Sequence, residues 1–283
     1  MNVTDVMTPR ETLVTASVPG SREDVLKILQ KREFSSVPIV KTSEDGEVFR
    51  GIVSRERLIE EPNEEQLALL IEDIEAIEPD ASISELARHM STTGERRIPV
   101  VDGGLRGIVT ITDVVKAIAN GNVDGDVPVG PLADRQVHTT HLSAPLAAAL
   151  RGLIYADEPY GVVLDDEGDM TGIFTEVDII ELAEVVEGEE GTGDSIAGQD
   201  SEWAWEGIKA VGNRVLPTRN VEFPEATVGE IMTETVVTVA RRRTVTETAQ
   251  AMIRNDVEQI PLLVEGELGG IVKDMHLLEA LYE

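Results

Sequence analysis

The stretch Gly107-Ile108-Val109-Thr110-Ile111-Thr112-Asp113 decides how this chain is read. A glycine and two β-branched residues describe a short buried strand. A hydroxyl follows, then a carboxylate three residues on, and Val114 to Ala119 continues as an apolar helix. The same order returns at Gly172-Ile173-Phe174-Thr175-Glu176-Val177-Asp178. Worn copies stand at Gly51-Ile52-Val53-Ser54-Arg55-Glu56-Arg57 and Gly270-Ile271-Val272-Lys273-Asp274-Met275-His276. Four occurrences define an internal repeat, so the repeat unit sets the architecture.

Two further marks precede each copy. The first is a helix start: Ser21-x-x-Asp24, Ser82-x-x-Glu85 and Thr244-x-x-Glu247 fit the capping box, in which hydroxyl and carboxylate satisfy orphan amides reciprocally. In the third copy Ser143 is followed by Pro145, which suits a first helical turn. The second mark is an apolar strand centred on proline: Val37-Pro38-Ile39, Ile98-Pro99-Val100 and Ile260-Pro261-Leu262, with Gly161 replacing proline in copy three. Cap to strand centre is 17 residues in copies one, two and four, and 18 in copy three. Between these marks Val25, Leu26, Ile28 and Leu29 fall on one helical face, as do Leu86, Ala87 and Met90, and Thr248, Ala249, Met252 and Ile253. Short polar turns such as Asp102-Gly103-Gly104 join the two strands into hairpins. Each unit therefore reads βαββα, an α/β (α+β) class whose small sheet needs a partner to cover its open face.

The expected boundaries are 1–62, 63–122, 123–185 and 225–283 for the four repeats, with an insertion over 186–224. The insertion opens on the acidic, glycine-rich run Glu187 to Asp194 and continues into a capped stretch, Asp200 to Gly212, that carries Trp203 and Trp205. That stretch reads as a packing helix tying the halves together, with a docking surface as the alternative.

Composition narrows the function. The 283 residues carry 54 acidic and 24 basic side chains, a formal charge of -30. Such a surface repels phosphate backbones and disfavours a nucleic-acid partner. Arginines outnumber lysines 18 to 6, and acid excess with few lysines fits a cytosol rich in potassium salt. Without cysteine there is no disulfide or thiolate chemistry. Met1-Asn2-Val3-Thr4-Asp5 has no signal pattern and no apolar run is long enough to span a bilayer, so a cytoplasmic protein without a membrane partner is expected.

Paired units of this kind, with Val6-Met7-Thr8 opening copy one and Ile231-Met232-Thr233 opening copy four, resemble the cystathionine beta-synthase (CBS) domain family. The resemblance covers nearly the whole chain outside the insertion. It implies two modules, each made of two repeats about a pseudo-two-fold axis. It also implies clefts between the paired repeats that bind adenosine derivatives, in a free-standing regulatory protein; the acid excess adds the expectation of a haloarchaeal origin. It implies no catalytic residues, no metal and no required cofactor.

The ligand motif carried by that family is Gly-apolar-apolar-Ser/Thr-x-x-Asp. The carboxylate accepts from both ribose hydroxyls, while the hydroxyl and the helix N-terminus hold a phosphate. By match, Thr110 and Asp113 carry one site, with Ile108 offering backbone to adenine and Thr112 a second hydroxyl; Thr175, Asp178 and Ile173 carry the other. Arg57 and His276 stand where a ribose acceptor is needed, so those copies depart from the motif. Residues before the proline strand reach toward the phosphate in the family. Here they are Ser35 and Ser36 in copy one, Arg96 and Arg97 in copy two, Glu158 in copy three, and Glu258 with Gln259 in copy four. Arginine favours AMP or ATP in the first module, whereas the acids of the second favour a neutral or cationic relative such as S-adenosylmethionine.

Outside the motif, His138-Thr139-Thr140-His141 reads as a loop, Asp165 to Asp169 as a solvated hairpin turn, and Arg241-Arg242-Arg243 as a solvated basic loop. No nucleophile constellation is present. The sequence thus points to a ligand sensor with an unknown protein target, against a ligand-free interaction scaffold whose Asp113 and Asp178 are caps. Whether the two modules close on each other or pair across a homodimer is left open.

Overall fold

A computed structural model describes residues 1–32, 36–43, 46–54, 57–58, 61, 64–175, 178, 184–185, 221–222 and 226–282. Ser35 and the Asp200–Gly212 stretch with both tryptophans lie outside the described residues. The chain forms two compact units, 1–136 with 237–283, and 137–236.

In chain order the first two repeats comprise β1 (Thr8–Pro9), β2 (Ala16–Ser17), α1 (Arg22–Arg32), β3 (Ser36–Ser43), β4 (Gly46–Ser54), a short α2 (Leu67–Leu70), α3 (Ile83–Thr93), β5 (Arg97–Val101), β6 (Leu105–Thr110) and α4 (Ile111–Ala119). The third has β7 (Thr139–His141), α5 (Leu146–Ala156), β8 (Tyr160–Leu164) and β9 (Met170–Thr175). β10 (Glu184–Val185) and β11 (Val221–Glu222) then pair antiparallel, so the two ends of the insertion meet. The fourth has β12 (Val239–Ala240), α6 (Val245–Asn255), β13 (Gln259–Val264), β14 (Glu267–Lys273) and α7 (Asp274–Leu277), which runs into a 3-10 turn, Leu278–Leu281.

The expected α+β unit is present four times. In repeats one, three and four a short first strand pairs parallel to the proline-type strand, which pairs antiparallel with the glycine-type strand. In repeat two Ile77 bridges Val100 in place of that first strand. All four hairpins shift register at the same place: Ile39/Val40, Val100/Val101, Val163/Leu164 and Leu262/Leu263. A conserved position for a bulge within one chain marks four descendants of a single unit. The Ser82–Glu85 and Thr244–Glu247 boxes both form, with Ser82 N donating to Glu85 at 2.8 Å and Thr244 N to Glu247 at 3.0 Å. Residues Thr139–His141, read from sequence as loop, are instead the first strand of repeat three. Their hydrogen bonding along β8 outweighs the polar composition that suggested a loop.

Repeats exchange their opening segments. Val3 is fully buried in the core of repeat two, beside Leu86, Met90 and Val109, while Leu67 and Leu70 are buried in that of repeat one. Val228 completes the core of repeat three, and Val129 and Ala133 that of repeat four. Each such valine or leucine brings about 1.5–3 kcal/mol of burial to a unit that did not encode it. The exchange also accounts for the motif glycines. A Cβ on Gly107 would stand 2.5 Å from the carbonyl oxygen of Thr8 and 2.8 Å from Met7 Sδ; one on Gly172 would stand 2.6 Å from Met232 Sδ. The Met-Thr openings therefore lie across the bare backbone of the neighbouring strand.

Repeats two and four share one core through their helices. α4 packs on α6 and α7, and α3 on the 3-10 turn at Leu278–Leu281, so Val115, Ile118, Met252 and Leu278 belong to one cluster. The sheets of repeats one and two also meet, through β4 and β6.

Candidate ligand-binding site

The site is assembled where β6 becomes α4. Thr110 is the N-cap, extended at φ -114° and ψ 161°, and Asp113 occupies the third helical position. The Asp113 carboxylate turns back: its Oδ2 accepts from the Thr110 amide at 2.9 Å and from the Thr110 hydroxyl at 2.8 Å. Asp113 is half-buried, and Oδ1 takes no hydrogen bond from a described residue. One oxygen thus fixes the carboxylate and the other faces outward. Thr175 and Asp178 repeat this at 2.7 and 2.8 Å, with Asp178 also half-buried.

Strand alternation sorts the remaining candidates by face. Ile98, Val100 and Val109 point into the helix-covered core. Arg97, Pro99, Ile108 and Thr110 therefore share the opposite face, where Arg97 pairs in register with Thr110 and Pro99 with Ile108. Ser36, paired with Ser54, occupies the corresponding place in repeat one and is only 9% exposed. Thr112 is exposed on the first turn of α4. Ile108 faces Thr8 in the β1–β6 ladder. Both main-chain groups of Ile173 are taken by Thr233, at 3.1 and 2.8 Å, so its amide proton is committed within the protein.

Arg96 goes elsewhere. Its main chain stays near the site, since its carbonyl accepts from Ile111 N at 2.9 Å. Its guanidinium lies on the helix face and makes a two-pronged pair with Asp274 of repeat four, at 3.0 and 2.6 Å, with Glu258 at 3.3 Å. Burial disfavours the Arg96 cation, yet the hydrogen bonds and charge of Asp274, helped by Glu258, leave its pKa raised. Burial pushes the Asp274 carboxyl up, and Arg96 pulls it back only in part. Arg97 is lowered by burial first and by the neighbouring Arg96 charge second.

The two departing copies keep the cap without the acid. His276 Nδ1 accepts from the Lys273 amide at 3.2 Å, so that ring nitrogen carries no proton, and burial together with Lys273 lowers the His276 pKa. In repeat one the Arg57 amide donates to Ser54 Oγ at 3.0 Å. Elsewhere, His141 sits 3.1 Å from Asp166 and bonds Ser143, Asp165 organises the β8–β9 turn, and Arg243 pairs with Glu247 at 2.6 Å. Among the described residues no group of acids and histidines is arranged to hold a metal ion, and no helix is long and apolar enough to cross a membrane.

What sequence reasoning missed is that the opening segment crosses to the neighbouring repeat. Its signal was the apolar residue at Val3, Leu67, Val129 and Val228, a fourth mark recurring ahead of each cap.

The CBS domain pattern matches residues 3–64, 68–120, 129–184 and 228–283. The chain belongs to the CBS domain family. An uncharacterized conserved protein from Pyrococcus horikoshii has a similar structure, with TM-score 0.70 and 26% identity, covering 99% of this chain and 100% of that one. A Methanocaldococcus jannaschii protein proposed as an archaeal homolog of g-AMPK shares the fold at TM-score 0.64 and 18% identity, over 99% of both chains. An uncharacterized protein of the same organism is 28% identical over 182 residues, which is 63% of this chain and 42% of the relative. The chain thus spans less than half the length of the curated relatives it matches.

Proposed function

We propose that this CBS-domain protein is a regulatory sensor that binds an adenosine derivative at the Thr110–Asp113 turn and signals to a protein target. The observation that carries this reading is the carboxylate of Asp113, held through one oxygen by Thr110 with the other left to accept. Two ribose hydroxyls are donors of the right kind, and a charged acceptor strengthens each bond. Ile108 supplies apolar contact to the base from the same sheet face. Arg97, opposite Thr110 in register, is the better-placed cation for a phosphate, with Ser36 and Thr112 as further polar contacts. AMP or ATP is the ligand class this set suits.

The Thr175–Asp178 turn offers the same acceptor, and Tyr160 rather than an arginine pairs in register with Thr175. A neutral or cationic relative such as S-adenosylmethionine suits it better. No residue is assigned a catalytic role, and the protein is read as regulatory and cytoplasmic.

A second reading has its own support: the capping box around Asp113 is complete without any ligand, as a scaffold would require. Titration calorimetry with adenosine, AMP, ATP and S-adenosylmethionine separates the two. Absence of heat with all four favours the scaffold, and equal competition by AMP and ATP at both turns contradicts the division of ligands.

A further inference from the structure

Repeats two and four meet through faces that are alike. Arg88 of α3 donates to the Tyr282 carbonyl at 3.3 Å, and its counterpart in α6, Gln250, donates to the Ala119 carbonyl at 2.9 Å. Ala119 and Tyr282 are themselves counterparts in the repeat. The same reciprocity governs the strand-to-helix junctions, where Ile111 N donates to Arg96 O at 2.9 Å and Asp274 N to Glu258 O at 2.8 Å. The interface is therefore a pseudo-two-fold one built on Val115, Ile118, Met252 and Leu278. Apolar packing of this kind is not directional, and repeat two could use it on repeat two of another chain as well.

One set of side chains breaks the likeness. Arg96 and Glu258 are equivalent positions, and so are Ile111 and Asp274. In the observed pairing the arginine meets both acids. In a pairing of repeat two with itself, Arg96 would meet only another Arg96 and an isoleucine. In a pairing of repeat four with itself, the exposed Glu258 and the buried Asp274 would meet their own kind. Either arrangement leaves charges uncompensated in a site where Asp274 has a side-chain exposure of 8% and Arg96 of 24%. We infer that Arg96, Asp274 and Glu258 are a pairing code: they make repeat two accept repeat four of its own chain and reject the equivalent face of a second copy.

The chain has no cysteine, so an added pair reports the contact cleanly. Asn120→Cys and Gln250→Cys put one thiol on each side of the contact, removing the Gln250 hydrogen bond equally from every variant compared, and a short bis-maleimide will join them within one chain. Arg96→Glu should reduce that intrachain product about tenfold or more and lower the melting temperature, because it sets three acids together. Combining Arg96→Glu with Asp274→Arg and Glu258→Gln reverses the charges and should restore both the cross-link and the melt. An intrachain yield unchanged by Arg96→Glu overturns the inference. So does a loss that the reversed set fails to restore, since hydrophobic contact alone would then govern the choice.

Discussion

Asp113→Asn separates the two roles that one carboxylate can play. The substitution keeps an acceptor for the Thr110 amide, now held at 2.9 Å, and removes the charge beside the N-terminus of α4. Loss of that charge at a helix start should cost about 0.3–1 kcal/mol of stability. The effect on a nucleoside should be larger. With its oxygen kept on Thr110, the carboxamide turns outward an NH2 that cannot accept, so each ribose hydroxyl loses a charged hydrogen bond of about 1.5–3 kcal/mol, roughly 3–6 kcal/mol for two. That corresponds to an adenosine dissociation constant weaker by about 150-fold or more. Titration calorimetry gives the affinity, and a melt without ligand gives the stability. An affinity within about threefold of the parent, with the melt lowered as stated, would make Asp113 a cap alone and refute the ribose assignment.

Four other outcomes follow from the fold. Met252→Ala, in the core shared by repeats two and four and 2% exposed, should cost about 2–5 kcal/mol; hydrogen exchange should then rise in α4 as well as α6, and a rise confined to α6 would contradict the shared core. Gly107→Ala should cost about 1–3 kcal/mol by pushing Thr8 off β6, read as faster exchange of residues 3–9 in mass spectrometry. Glu85, Glu230 and Glu247 have pKa values below the ordinary 4.5 because Ser82, Thr227 and Thr244 donate to them. Their contribution is therefore present above that value and lost as pH falls through the lowered one. Glu85→Gln should flatten the acid limb of a melting-temperature profile. Finally, with a charge of -30, raising potassium chloride from about 0.1 to 1 M shortens the screening length from about 10 to 3 Å and should raise the melting temperature; no rise would remove the basis for a salt-rich habitat.

The repeat, its capping boxes and its hairpins were legible because each is a local pattern: hydroxyl and acid three apart, proline between apolar residues, glycine before two β-branched side chains. The Thr110–Asp113 turn was legible for the same reason, being four consecutive residues. What could not be read was partnership across distance. α3, α4 and α6 present apolar faces of similar character, and nothing in their periodicity says that repeat two takes repeat four. Arg96 was read as a phosphate contact, with Arg97, because residues before the proline strand reach the phosphate in the family the chain resembles. Alternation along β5 sends the two side chains to opposite faces, and only the second faces Thr110. The motif glycines were taken as marks of the strand; their cause, a backbone carbonyl lying across each and, at Gly107 and Gly172, a methionine, belongs to another repeat.

The exchanged openings carry a consequence for how the molecule is made. Val3 leaves the ribosome over a hundred positions ahead of Val109, Ile111 and Val114, with which it shares a core. Until then the opening turn has nowhere to dry, and the first repeat lacks Leu67 and Leu70. Neither half of such a pair can ripen alone; each waits on the other's beginning, so a nascent chain halted between them exposes one unfinished core and an undocked opening rather than a finished domain.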